Sequence, residues 1–108
     1  MQVIINPADH IELSDAFSGH IHRSLEKVDR RFGDWLTRTE VFIKDVNGPK
    51  GGADKHCRLE ARPRGTEPVV IDHQDDDVYT CVTRAAGKLE KALERRRGQL
   101  EAREKHAD

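Results

Sequence analysis

The sequence predicts one α+β domain, a two-layer sandwich in the order β-α-β-β-β-α, with a four-stranded mixed sheet and two parallel helices on one face. Three observations lead there. Two stretches carry apolar residues at helical steps of three and four, and the others alternate with period two. Each alternating stretch has a single apolar face, so the sheet needs cover on one side only. The chain is 108 residues long, enough for one domain spanning 1–108 and not for two.

Residues 2–6 are a short β-branched run that Pro7 stops, with Val3 and Ile5 toward the core. Leu13, Phe17, Ile21, Leu25, Val28 and Phe32 then recur at helical steps and place a first helix at 14–32. Ser14 is its expected N-cap, and Gly33 is expected in the left-handed conformation after its end. Residues 36–46 read as a strand with Val41 and Ile43 inward and Glu40, Phe42 and Lys44 outward. The run 47–52, Asn-Gly-Pro-Lys-Gly-Gly, is a loop. In a third strand at 55–62, Cys57, Leu59 and Ala61 alternate with His56, Arg58, Glu60 and Arg62. A turn at 63–66 leads to a fourth strand at 67–73 carrying Val69 and Ile71. Asp75, Asp76 and Asp77 are expected to open the second helix, where acids suit the positive dipole end. Val82, Ala86, Leu89 and Leu93 form its core face, and it should fray after about residue 100. The right-handed crossover makes the first two strands parallel, and two hairpins complete the sheet.

Composition narrows the function. Hydrophobic and charged residues are nearly equal, at 35% and 36%, which is polar for a folded domain; the strict periodicity nonetheless excludes disorder. No apolar run approaches the ~20 residues of a membrane span and no signal peptide is evident, so the expected location is cytoplasmic. Two cysteines make neither a disulfide framework nor a zinc site, and burial is expected for both. No nucleophile-base-orienter set is present, so no catalytic residue, metal ligand or cofactor is expected. His20 and His22 lie two apart on a helix and cannot share a metal.

Charge is patterned where chemistry is not. Arg84, Lys88, Lys91 and Arg95 fall within ~60° of one another on the second helix, on the side away from its apolar face. Arg23, Lys27 and Arg30 repeat the design on the first helix, with His20 and Arg31 on its flank. Parallel helices packed side by side would bring the stripes together as a basic ridge that fits a phosphate backbone. The same spacing also fits a solvated face with ion pairs, in which Glu90 and Glu94 neutralise neighbours such as Arg97. The net charge of -1 favours that second reading. Lys50 and Lys55 are secondary candidates for RNA contact.

The run Asp77-Val78-Tyr79, followed by Lys88-Leu89-Glu90-Lys91-Ala92-Leu93-Glu94-Arg95, resembles the ribosome hibernation-promoting factor and ribosome-associated inhibitor A family, also called the sigma-54 modulation or S30AE family. The opening Leu13-Ser14-Asp15-Ala16-Phe17, with Lys27 and Arg30, fits the same family, and the likeness covers nearly the whole chain. The chain departs from it at Ser18 and Ser24, where the family often carries basic residues. The resemblance implies a fold related to double-stranded-RNA-binding domains and a short form without the pairing domain of long members. It also implies binding to 16S rRNA in the decoding region of the small (30S) ribosomal subunit, where occupancy blocks tRNA and mRNA under stress. Carried over by position, Lys88, Lys91, Arg95, Lys27 and Arg30 are the RNA contacts, and the stripes add Arg84 and Arg23. The alternative is a protein-interaction module of the same fold with weak RNA affinity. A weak homodimer through Ile4, Phe42 and Val70 on the uncovered sheet face would suit it.

Overall fold

In the computed structural model, which describes residues 1–9, 11–46 and 54–105, the sheet has the strand order β1-β2-β3-β4. The strands are β1 (Gln2–Pro7), β2 (Leu36–Asp45), β3 (Lys55–Pro63) and β4 (Val69–Asp75). β1 and β2 are parallel, as a helical crossover requires, and the two hairpins are antiparallel. The expected loop at 47–52 lies outside the described residues.

The inward faces follow the period-two reading. Val41, Ile43, Cys57, Leu59 and Ala61 are buried with Phe17, Ile21, Leu25 and Val28 from the first helical region and Val82, Leu89 and Leu93 from the last. Both helical regions therefore cover the same face. Val3, Ile5 and Ile71 are only partly buried against this core, because β1 and β4 are the sheet edges. Phe32, Ala61 and Ala85 on the expected apolar faces are buried too, as is Cys81, and Leu36 joins the core beyond them. Leu13 does not: it precedes the helix and is 40% exposed.

The first helix is two segments, α1 (Asp15–Ser24) and α2 (Glu26–Phe32), instead of one. The Ser24 hydroxyl donates to the His20 carbonyl at 2.8 Å, a back-bond that bends helices. At the joint, Leu25 N–H is shared between the Ile21 and His22 carbonyls, both at 3.2 Å. Ser14 caps α1 as expected, its hydroxyl accepting from Phe17 N–H at 3.1 Å. Gly33, by contrast, is right-handed, at φ -58 and ψ -34. Space is what glycine supplies there, since a Cβ would collide with the Asp29 carbonyl oxygen and carboxylate. The left-handed glycine is Gly65, at φ 78 in the β3–β4 turn.

β4 sits two residues later than expected. Pro68 has no N–H to pair, and the first cross-strand partner is Val69, opposite Ala61. Asp75 is consequently the last residue of β4, not the start of a helix. Of the three aspartates only Asp77 caps α3 (Val78–Lys105), accepting from Thr80 N–H and Thr80 Oγ1, each at 2.8 Å. These bonds hold the Asp77 carboxyl below its ordinary range. α3 also continues past residue 100, although its last buried residue is Leu93 and Leu100 is half-buried.

Candidate nucleic-acid interface

Helical spacing turns the basic residues of α3 outward. Arg84, Lys88, Lys91 and Arg95 are all exposed, on the side opposite Val82, Leu89 and Leu93. Arg23 and Arg30 are exposed on α1 and α2, as is Lys27. Among the described residues, Lys88, Lys91, Arg95, Arg23 and Arg30 make no ion pair, so five positive charges are presented directly to water.

The other two expected contacts are engaged. Arg84 Nη1 lies 2.7 Å from Asp75 Oδ2, and His73 Nε2 approaches the same oxygen at 3.3 Å. Burial works to raise the Asp75 carboxyl, but bonds from Asp76, His73 and Arg84 outweigh it and hold the pKa at about 2. Arg84 therefore ties the start of α3 to the end of β4. Lys27 Nζ is 3.6 Å from Glu90 on α3.

The two stripes flank a seam instead of merging. At one end His20 Nε2 meets the Tyr79 carbonyl at 2.9 Å and Thr83 Oγ1 at 3.1 Å. In the middle Glu90 faces Lys27 and also Arg31, whose Nη1 is 3.7 Å from it, and Glu94 lies 3.6 Å from Arg31. Farther along, Arg97 lies 4.5 Å from the centre of the Phe32 ring and donates to the Arg31 carbonyl at 3.4 Å. Arg97 is thus not the partner of Glu90. Cations without an ion pair among the described residues thus stand on both helical regions, with Glu90 and Glu94 in the seam between them.

Arg31, expected on the flank of the first helix, and Arg97, expected beside Glu90 and Glu94, are structural parts of this seam. Arg31 stacks 4.8 Å from the same Phe32 ring. The i+4 spacing from Lys27 signals Arg31; for Arg97 the spacing points to the acids of its own helix, because its partner ring lies on another helix.

Other surfaces are less suited to a polyanion. On the open sheet face Arg58 pairs with Glu60 at 3.0 Å, and Arg62 lies 3.6 Å from Glu40 and 3.5 Å from Glu60. Glu60 is accordingly half-buried, where the strand alternation alone would leave it exposed. The register places Glu40 and Glu60 between Ile4 and Val70 in one cross-strand row. Ile4, Phe42 and Val70 thus do not form the continuous apolar patch that the expected dimer needs. Lys55 donates to Asp45 at 3.0 Å and Asp54 at 3.1 Å, bonds that raise its pKa and remove it as a free cation; Lys50 is outside the described residues. Cys57 and Cys81 are buried, and burial pushes their thiols up to about 12 and about 11. Among the described residues no group of three His, Cys, Asp or Glu could hold a metal, and no helix is long and apolar enough to cross a membrane.

Comparison with known proteins adds to this geometry. Residues 4–101 match the family described as sigma 54 modulation protein / S30EA ribosomal protein. No curated protein matches the chain. Among solved structures, the N-terminal domain of Protein Y from Thermus thermophilus superposes with a TM-score of 0.71 at 20% identity, covering 88% of this chain and 98% of that one. A ribosomal subunit interface protein from Coxiella burnetii superposes with a TM-score of 0.73 at 16% identity, covering 91% and 99%. Both share the four-stranded α+β fold.

Proposed function

The chain belongs to the sigma 54 modulation protein / S30EA ribosomal protein family of ribosome-associated modulation factors, and on that premise we propose that it silences translation by binding 16S rRNA of the small ribosomal subunit. The observation that carries this reading is the set Arg23, Arg30, Lys88, Lys91 and Arg95, exposed on the helical side and without an ion pair among the described residues. Such cations, held on packed helices, neutralise phosphates and release condensed counterions, a gain that cations already paired to carboxylates deliver less readily. Lys27 and Arg84 belong to the same surface and contribute once their acidic partners are displaced.

The mechanism is occlusion. The protein makes and breaks no bond; occupying the decoding region denies tRNA and mRNA their sites, and dissociation restores the subunit. This needs no cofactor and places the protein with cytoplasmic ribosomes.

One observation favours a second reading, an interaction module with little RNA affinity. The net charge is -1, and three cations of the helical side are held by the protein's own carboxylates. Co-sedimentation with purified small subunits over a salt series separates the two. The RNA-binding reading expects binding at low salt and a steep linear fall of log K with log salt; no binding even at low salt leaves the interaction module.

A further inference from the structure

We infer that Glu90 is an internal competitor for the RNA site, holding Lys27 and Arg31 against the protein and so limiting ribosome affinity. The inference rests on the RNA-binding reading above and concerns the regulation of that same surface.

Glu90 sits on α3 at the centre of the seam with its side chain only 17% exposed. Its Oε2 is buried and accepts no hydrogen bond from the described residues. Two cations flank it, Lys27 at 3.6 Å and Arg31 at 3.7 Å, within ion-pair range but too far to donate a good hydrogen bond. With Oε2 shielded from water, this carboxylate acts on the neighbouring cations with less screening than an exposed one would. Both cations reach solvent, Lys27 at 65% and Arg31 at 33% exposure. Glu94 also faces Arg31, but at 62% exposure water weakens its hold. A phosphate arriving at the seam must therefore draw Lys27 and Arg31 away from Glu90, and the free cations on either side bind without that cost.

The test measures affinity for purified small subunits over a salt series with Glu90→Gln, which keeps the shape and removes the charge. Affinity is expected to rise on the order of three- to tenfold at 0.1 M salt, and the salt slope to steepen by about 0.7–0.9 for each cation released. Glu101→Gln removes the same charge from an exposed position of α3 and should leave the slope unchanged. Combining Glu90→Gln with Lys27→Ala and Arg31→Ala should abolish the gain, as a coupling cycle requires. If Gln impairs folding in a thermal melt, Glu90→Ala is expected to give the same gain. Equal gains for Glu90→Gln and Glu101→Gln, a gain that survives loss of Lys27 and Arg31, or no gain at all would overturn the inference. Failure of the unmutated protein to bind would instead remove the RNA-binding reading itself, and the competitor role with it.

Discussion

Replacing Lys88, Lys91 and Arg95 together by Ala removes three exposed charges that pair with nothing among the described residues. No buried residue is touched and Ala favours helix, so the melting temperature should hold. Each phosphate contact contributes about 0.7–0.9 to the slope of log K against log salt, so three contribute about 2.1–2.7. Between 50 and 200 mM salt the affinity of the unmutated protein should therefore fall about 20- to 40-fold more than that of the variant. The control is Lys44→Ala, Arg58→Ala and Arg62→Ala on the open sheet face, which removes the same formal charge. There Arg58 and Arg62 already face Glu60 and Glu40, so few phosphate contacts are lost. Filter binding with purified small subunits reads both variants. Equal flattening by the two triples would mean that the subunit senses net charge alone, and the assignment to the helical face would be refuted.

Two further outcomes test the fold. Leu59→Ala, at a fully buried position under α3, should cost about 2–5 kcal/mol in urea unfolding, whereas Arg58→Ala next to it should cost under ~1 kcal/mol; the reverse order would mean a one-residue register error in β3. Acid should unmask Asp75: its folded pKa of about 2 lies below the ordinary 3.8, so its stabilising contribution is complete above about pH 5 and is lost as pH falls through 2. The stability advantage over Asp75→Asn should accordingly shrink between pH 5 and pH 2 in thermal melts, and a difference that ignores pH would contradict the Arg84–Asp75–His73 arrangement.

What the sequence reveals and what it hides follow from the range of the interactions. Burial periodicity is local, so the faces of β2 and β3 and the outward stripe of α3 are legible from spacing alone. The kink at Ser24 is not, because a hydroxyl bonding back to His20 leaves the apolar spacing intact. Asp75 is misplaced by sequence because three consecutive acids resemble a helix start, and only the pairing with Lys55 reveals a strand end. Gly33 is rightly singled out as a glycine position, but for close approach to Asp29 and not for its dihedral angles. The largest gap is the seam. Glu90 reads as a neighbour of its own helix's cations, and the partners it finds, Lys27 and Arg31, lie about sixty residues earlier in the chain, where no spacing rule reaches.

Silencing by occupancy of the decoding region, as proposed, entails competition with tRNA and mRNA on the small subunit. Purified subunits carrying mRNA and labelled tRNA are titrated with the unmutated protein at low salt, and bound tRNA, bound mRNA and bound protein are measured together. If occupancy is the mechanism, tRNA and mRNA leave in proportion as the protein binds, and the Lys88, Lys91 and Arg95 triple variant needs a much higher concentration to displace them. Saturation of the subunit with protein while tRNA and mRNA remain fully bound would contradict it.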